Sequence, residues 1–316
     1  YFLSKNINLG LDLQGGSYLL LEVDTKPLVN QRLQEKVIKL RDYFKKENIK
    51  YKKLNYTEEK IKVTLQDSDI KKFEEYFINK DNDINFFYDK YRSYEMEYFI
   101  ENNIFFIEYS KFGLIEINNS AIDQSLEIVR RRIDEVGTKE PTIVRRGNNR
   151  ILIELPGLDD PARIKKLLGK TAKLTFQLVD MNSIASEVEK SGRVPPGTKL
   201  LSSYHEDGGK FVVQRRVMVS GEMLTDARAA FDQNGLPSVS FSLTPDGGKR
   251  FGRVTGKNIG RPFAIVLDGK VVSAPTIQSQ IFSSGQITGR FTVQETKDLA
   301  LLLRAGALPA PLTVME

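Results

Sequence analysis

Few side chains in this sequence could carry out acid–base or nucleophilic chemistry. The 316 residues include one histidine and no cysteine. That histidine, His205, lies in the polar segment 204–209, where a solvated loop position is much more common than a general base. The adjacent carboxylates Asp159 and Asp160 precede a predicted helix, so helix capping explains them better than acid–base work does. No Ser-x-x-Lys motif occurs in a context suited to a nucleophile. We therefore do not expect an enzyme.

Cofactor and metal chemistry lacks its usual residues as well. The segment Gly252–Asn258 approaches a phosphate-binding Walker loop, but it is one residue short and has Asn258 where that loop needs Ser or Thr. The dinucleotide fingerprint Gly-x-Gly-x-x-Gly does not occur. A zinc site would need several His or Cys ligands, which a sequence with one His and no Cys cannot supply. We expect no cofactor and no bound metal.

The basic residues concentrate toward the C-terminal part of the chain. The formal net charge is +6. Five cations follow one another with no acidic residue between them: Lys249, Arg250, Arg253, Lys257 and Arg261. Such a run could serve an acidic partner or an anionic membrane surface, but we favour a solvated helix face. With 40% hydrophobic and 28% charged residues, the composition is that of a globular protein long enough for two or more packed units.

The hydrophobic pattern of the first 180 residues predicts the element order β-α-β-β-α-β twice. An apolar strand is predicted over 17–23, and a helix follows it. The apolar stripe of that helix consists of Leu33, Val37, Leu40 and Phe44. The same order begins again with a strand predicted over 103–109. We interpret the repeat as two ferredoxin-like units, at about 17–90 and 103–180, in a protein of the α+β class.

The pattern changes after residue 180, where turn residues punctuate a loop-rich stretch. A hairpin is predicted across Asp268 and Gly269, because Asp-Gly suits a type I′ turn. A final helix is predicted to start at the capping box Thr292–Glu295 and to stop at Gly306. We predict a base formed by residues 1–180, a mixed α+β head formed by 181–284, and a return of 285–316 to the base.

Aromatic residues are concentrated in one part of the sequence. Of the 30 phenylalanines and tyrosines, 18 lie between Tyr43 and Phe112. Several alternate with polar residues, as in strands with one buried face. We favour packing in a core and on sheet faces, and an exposed peptide-binding platform is the alternative.

Three segments of the sequence resemble the SecD family. They read LGLDLQGG at 9–16, AIVLDGKVVSAP at 264–275 and LLLRAGALP at 301–309. Shorter matches at 131–137 (RRIDEVG) and 154–157 (ELPG) extend the resemblance over essentially the whole chain, most weakly at 30–112. The family-motif residues that we take as candidate site residues are Gly10, Asp12, Gln14, Gly15, Gly16, Asp268, Gly269, Arg304 and Gly306.

The resemblance implies a role in protein export. SecD is the membrane subunit that works with SecF at the bacterial Sec translocon. The chain is then expected to be a fragment, the large periplasmic domain between transmembrane helices one and two of an inner-membrane protein. Its head would swing relative to the base and grip preprotein leaving the channel, while proton flow through the membrane part drives the cycle. The implied partners are unfolded preprotein, SecF, the SecYEG channel and YajC.

A swinging head needs a hinge, and glycines and prolines at the ends of elements are the candidates. They are Gly192, Pro195, Pro196, Gly197, Gly208, Gly209, Gly285 and Gly289. Loops of this composition also occur without any hinge role, so both interpretations stay open.

Two other functions are compatible with these patterns. In the first, the chain is a scaffold that docks SecF or the SecYEG channel without binding substrate. In the second, ferredoxin-like units form an RNA-binding module. No strand shows the basic-Gly-aromatic pattern of such modules, and the aromatic-rich segment is close to neutral. We therefore expect no nucleic acid partner.

Overall fold

The structure is a computed structural model that describes residues 16–57, 59–138, 140–156, 160–205 and 208–315. It confirms the α+β class. The described residues divide into two compact units. Unit A comprises residues 20–126, 144–152 and 309–315, and unit B comprises 16–19, 127–143 and 153–308.

Seven α-helices are present in the described ranges. They are α1 (Lys26–Lys46), α2 (Asp67–Phe77), α3 (Lys111–Val136), α4 (Pro161–Gly169), α5 (Ala185–Ser191), α6 (Pro245–Lys257) and α7 (Val293–Ala305). None of these helices combines the length and the apolar character that a membrane crossing requires.

The strands are mostly short. The described part of the chain contains β1 (Gly16–Val23), β2 (Tyr51–Thr57), β3 (Lys60–Leu65), β4 (Phe87–Tyr88), β5 (Ser93–Tyr94), β6 (Met96–Glu101), β7 (Ile104–Tyr109), β8 (Thr142–Arg146), β9 (Arg150–Pro156), β10 (Leu174–Leu178), β11 (Thr198–Ser202), β12 (Lys210–Gln214), β13 (Val219–Ser220), β14 (Leu224–Phe231), β15 (Pro237–Leu243), β16 (Phe263–Leu267), β17 (Lys270–Ser273), β18 (Ser284–Thr288) and β19 (Leu312–Val314).

Unit A contains an antiparallel sheet in the order β2-β3-β7-β6. Strands β3 and β7 alternate between half-buried and buried residues. Their buried face packs against α1 and α2, because it belongs to the same apolar cluster as those helices. The stripe predicted for α1 is buried at Leu33, Val37, Leu40 and Phe44, as expected.

The grouping into two tandem ferredoxin-like units is corrected by the sheet topology. Strand β1 belongs to a sheet in the order β19-β1-β9-β8, with Leu21 opposite Val314, and not to the sheet of β2 and β3. The last strand of the first predicted unit, which was expected to end near residue 90, is the two-residue strand β4, which pairs with β5. Apolar periodicity identifies a strand but not its partner, since pairing depends on residues that are distant in the sequence.

Unit B contains sheets in the orders β13-β10-β16-β17 and β14-β15-β18, together with the hairpin β11-β12. Helices α6 and α7 contribute to the core between them. Strand β10, predicted as the last strand of a unit ending near residue 180, instead pairs with β16. Strand β18 pairs with β15, and α7 packs on β14 and β15, whereas β19 pairs with β1. The division into base and head stays a prediction.

Local signals specify several of these elements. Asp268 and Gly269 have φ values of 48° and 80° in the turn between β16 and β17, as the predicted type I′ turn requires. Thr292 and Glu295 form a reciprocal capping box at the start of α7. Asp160 caps α4 by accepting a hydrogen bond from Arg163 N. Helix α5 was not predicted, because it has only seven residues in a loop-rich stretch.

Candidate functional site

The family-motif residues fall in two places. Gly10, Asp12, Gln14 and Gly15 lie outside the described residues, and Gly16 is the first residue of β1. The other four lie in unit B, on the β16–β17 turn and at the end of α7. The structure brings these two segments together with residues 132–135 and 170–173.

Asp268 holds the backbone of the segment that leads into β10. Its carboxylate accepts hydrogen bonds from the backbone N of Ala172 at 3.0 Å and of Lys173 at 2.8 Å, and from the Thr171 hydroxyl. Ala172 has a φ of 59°, in the left-handed region that costs free energy for a residue with a Cβ. Three hydrogen bonds to one carboxylate stabilise that conformation.

Arg132 is the only charged residue among the large side chains that are fully buried in the described ranges. Its Nη1 donates to the carbonyl oxygens of Leu167 (2.8 Å) and Lys170 (2.5 Å). Its Nη2 donates to those of Thr171 (3.3 Å) and Gly306 (3.2 Å). Burial lowers the pKa of Arg132 to about 10, so the guanidinium is still charged at neutral pH. The cation also lies at the C-terminal end of α4, where the helix dipole favours positive charge.

Arg304 pairs with Glu135 in a two-point contact. Its Nε lies 2.6 Å from one carboxylate oxygen of Glu135, and its Nη2 contacts the other. This hydrogen bonding raises the pKa of Arg304. Leu308 N adds a bond of 2.8 Å to Thr171 O. We call the set Arg132, Glu135, Thr171, Asp268 and Arg304 the motif junction.

The motif junction has the chemistry of a structural joint. Each of its charges is engaged by backbone groups or by an opposite charge, so no group is free to act as an acid, base or nucleophile. It joins helix ends and a hairpin that are distant in the sequence. The motif residues Asp268, Arg304 and Gly306 therefore help to hold unit B together.

A cavity of about 210 Å³ lies elsewhere in unit B. Its floor is made of five apolar side chains from β10, β15, α6 and β16: Phe176, Phe241, Phe251, Phe263 and Ile265. Its remaining wall comes from Thr255 and from residues 275–286. None of these lining residues is titratable, so the cavity can offer apolar contact and neutral hydrogen bonds only.

The segment Pro275–Ser283, which we call the strap, borders this cavity and lies on a row of glycines in α6. A Cβ at Gly252 would be 2.5 Å from the Phe282 ring, and one at Gly248 would be 2.3 Å from Phe282 O. Only residues without a side chain allow so close an approach. Ile281 N donates to Thr255 Oγ1 at 2.9 Å, and Gln280 Nε2 donates to Gly252 O at 3.0 Å.

The predicted hinge residues have varied surroundings. Gly192, Gly197 and Gly209 have positive φ values of 65°, 77° and 71°. Gly208 is crowded by the Ser203 side chain, and Gly289 by the Phe291 ring. Gly285 lies within the paired strand β18, where a Cβ would be 2.6 Å from the Phe241 ring. Pro195 and Pro196 precede β11. Their role as hinges stays a prediction.

His205, which we expected to be a solvated loop residue, has an apolar neighbour. The His205 ring lies 5.7 Å from the Phe291 ring, so this loop histidine is packed rather than fully solvated. Within the described ranges, no group of three or more His, Asp or Glu side chains is placed to hold a metal ion.

Sequence patterns did not identify the cavity or the role of Arg132. The cavity is built from aromatic residues of four separate elements, and each of them looks like an ordinary core residue on its own strand or helix. Arg132 lies in the matched segment 131–137, but a charged residue in a helix is normally solvent-exposed. The regular spacing of Gly248, Gly252 and Gly256 in α6 was the one available signal of a close contact on that helix.

Comparisons with known families cover most of the chain. The family described as "SecDF, P1 head subdomain" matches residues 198–310. "Protein translocase subunit SecDF, P1 domain, N-terminal" matches 122–181, and "SecD/SecF GG Motif" matches 2–27.

Individual proteins match over nearly the full length of the chain. Proteins named "Protein translocase subunit SecD" from Rickettsia conorii and Rickettsia bellii are each 42% identical to it, over 98% and 100% of the chain. The corresponding protein of Aquifex aeolicus is 36% identical over 98% of the chain. The chain spans 58% of the length of the Rickettsia conorii protein and 59% of the other two.

Solved structures match a smaller part. One described as "Structure and function of a membrane component SecDF that enhances protein export" has a TM-score of 0.51 and 35% identity, over 62% of this chain and 92% of that one. Another, "Crystal structure of SecDF in Super-membrane-facing form", has a TM-score of 0.52 and 35% identity, over 63% of this chain and 28% of that one.

Proposed function

This chain belongs to the SecD family of protein translocase subunits, and from that premise we propose that it captures and releases unfolded preprotein during export. In this proposal the chain acts on the periplasmic side of the inner membrane, at the exit of the Sec translocon. Proton flow through a membrane part outside this sequence drives the cycle. SecF, the SecYEG channel and YajC are the proposed partners, and the chain itself catalyses no reaction.

The cavity of unit B is the observation that carries the proposal. A volume of about 210 Å³ with an aromatic floor can receive a large apolar side chain without selecting one sequence. Full burial of such a side chain contributes roughly 1.5–3 kcal/mol. That free energy corresponds to roughly a ten- to hundredfold gain in affinity. Contacts of this strength suit a site that must hold a polypeptide and then release it.

The strap supports the same proposal, because it borders the cavity and most of its residues other than Ile277 and Ile281 are exposed. Gln278 and Ser279 line the cavity and are exposed, so a bound chain could reach the cavity beside them. Backbone hydrogen bonds at Pro275, Ile277 and Ser283 anchor the two ends of the strap, and two side-chain hydrogen bonds and the contact on the glycine row of α6 hold residues 280–282.

The test places one bulky residue at the cavity and the same residue at a control position. Ser279→Trp puts an indole at the wall of the cavity. Asn234→Trp puts one in the exposed turn between β14 and β15, which does not line the cavity. Binding of a reduced, unfolded model polypeptide to each variant is measured by fluorescence anisotropy. We expect Ser279→Trp to weaken binding about tenfold or more, and Asn234→Trp to leave it unchanged.

A photo-crosslinking residue at position 278, with position 234 as the matched control, supplies a second readout. The proposal expects adducts with a translocating preprotein from position 278 and few from position 234. Equal binding by the two tryptophan variants, or no adducts from position 278, would contradict preprotein capture at this cavity. A complete absence of affinity for unfolded chains would instead favour a scaffold that only docks its partners.

A further inference from the structure

Strand β6 forms one edge of the four-stranded sheet of unit A. Its pairing with β7 places Glu101 opposite Ile104 across a two-residue turn, and Phe99 opposite Phe106. In an antiparallel pair, the residues that flank a two-residue turn exchange hydrogen bonds with each other, and the pattern then alternates. Glu97, Phe99 and Glu101 therefore bond to β7, while the backbone groups of Met96, Tyr98 and Ile100 point away from the sheet.

The side chain of Asn85 covers the outward groups of Met96. Asn85 Oδ1 accepts from Met96 N at 2.8 Å, and Asn85 Nδ2 donates to Met96 O at 3.1 Å. The Asn85 side chain is buried and also donates to Phe77 O. Its amide thus makes the two bonds that the backbone of a neighbouring strand would make at this position. The β4–β5 hairpin, which follows Asn85 in the chain, continues this cover on the N-terminal side of Met96, where Glu95 N donates to Phe86 O at 2.7 Å.

The cover ends after Met96. Among the residues that the structure describes, none bonds to the outward backbone groups of Tyr98 or Ile100. The strand carries exposed apolar side chains here, with Phe99 45% and Ile100 39% exposed. Natural edge strands are usually protected by Lys, Pro or a bulge, and Met96–Glu101 contains none of these. Its charged residues, Glu97 and Glu101, are both acidic, so the unpaired backbone groups between them are a template for a strand with basic residues opposite.

A second cavity of about 210 Å³ lies along the same edge. Its lining includes Asn85, Met96 and Tyr98, together with Ile78 and Tyr94. Tyr98 is held in place by its hydroxyl, which donates to Glu74 at 2.6 Å. A strand added beside Tyr98 would therefore place one of its side chains over this cavity.

We propose that the edge of β6 binds an extended segment of unfolded polypeptide as a fifth strand of the unit A sheet. This inference rests on the proposed function, because it takes the preprotein as the source of that segment. The unpaired N–H and C=O groups of Tyr98 and Ile100 select an extended backbone, whatever its sequence. The carboxylates of Glu97 and Glu101 favour Lys or Arg opposite them on the open face of the sheet. On the other face, Ile78, Met96 and Tyr98 at the cavity favour apolar residues, beside polar lining residues such as Asn85 and Ser93.

The probe is a short labelled peptide of sequence Lys-Ile-Phe-Ile-Lys, which has this alternation. With Lys opposite the two glutamates, the backbone N–H groups of the Ile residues point at the edge, and those of Phe and the second Lys point away. Two N-methylated versions of the peptide each carry two methyl groups. In one version they are on the two Ile amides, and in the other on the amides of Phe and the second Lys. Binding to the whole chain is measured by anisotropy and by amide exchange at Ile100.

We expect methylation of the Ile amides to weaken binding about tenfold or more, which corresponds to about 1.4 kcal/mol or more. Methylation of the other two amides should change little. In the protein, Ile100→Pro removes an outward N–H without removing a bond to β7, whereas Ile100→Ala keeps the N–H. The proline variant should bind the peptide about tenfold more weakly than the alanine variant. The amide of Ile100 should become protected from exchange when the peptide binds.

Equal binding of the two methylated peptides, or no protection at Ile100, would overturn the inference. The inference would also be overturned if the chain self-associates and Ile100→Pro abolishes that self-association, because the edge would then pair with a second copy. The proposed function is tested by different measurements, namely the binding of unfolded polypeptide and its weakening by Ser279→Trp. It can therefore fail independently of the edge site. If unfolded polypeptide still binds and Ser279→Trp still weakens that binding, a negative result with the peptides contradicts the edge site alone.

Discussion

Replacing Arg132 by methionine should destabilise unit B strongly. Methionine keeps much of the volume of the side chain but removes all four donated hydrogen bonds. The Leu167 carbonyl is then buried without a donor, which costs about 1–3 kcal/mol. The three other carbonyls are partly buried and lose about 0.5–1.5 kcal/mol each. The variant regains the desolvation cost of the buried cation, so we expect a net loss of about 3 kcal/mol.

The measurement is urea unfolding followed by circular dichroism, with amide exchange in β10 and β16 as the readout specific to unit B. With a slope of about 2 kcal/mol/M, the midpoint should fall by about 1.5 M. Arg131→Met is the matched control, because Arg131 is the neighbouring residue and its ion pair with Glu127 is exposed. It should change the free energy of unfolding by at most about 0.5 kcal/mol. Equal midpoints for the two variants would refute the structural role of Arg132.

Two further predictions concern the strap and the aromatic residues of unit A. Gly252→Ala should displace the strap and make it more susceptible to protease. Gly256→Ala should have a smaller effect, because the Cβ there would meet the flexible Gln280 side chain at 3.0 Å. Equal cleavage of both variants would argue against close packing of the strap on α6. Burial and the nearby Glu74 raise the pKa of Tyr98 to about 12. Because this pKa is raised on folding, its contribution to stability is present below the unfolded value near 10 and is lost as the pH rises through 12. Ultraviolet titration of wild type and Tyr98→Phe checks this, and a Tyr98 that ionises like a free tyrosine would contradict it.

Local chemistry made part of the fold predictable from the sequence. The Asp268–Gly269 turn and the capping box at Thr292 are short-range signals, and the structure has both. The buried stripe of α1 follows from its apolar spacing in the same way. These features depend on residues within a few positions of each other.

Pairing between distant residues was not predictable in this way. The apolar pattern of β1 fits any sheet, and the strands on either side of it, β9 and β19, decide which one it joins. Arg132 sits in a segment that reads as an ordinary charged helix, so its burial depends on carbonyl groups that the sequence does not reveal. The motif residues identified the family, but sequence spacing alone could not distinguish a joint from a binding site.

The motif junction imposes an order on folding. Arg132 reaches the Gly306 carbonyl across 174 positions, and Arg304 reaches Glu135 across 169. A chain that emerges from the ribosome N-terminus first cannot complete these contacts until almost all of unit B has been synthesised. Such high contact order slows folding and leaves earlier segments waiting in a partly assembled state. A protein proposed to hold other polypeptides before they fold must therefore itself remain partly folded for a time during its own synthesis.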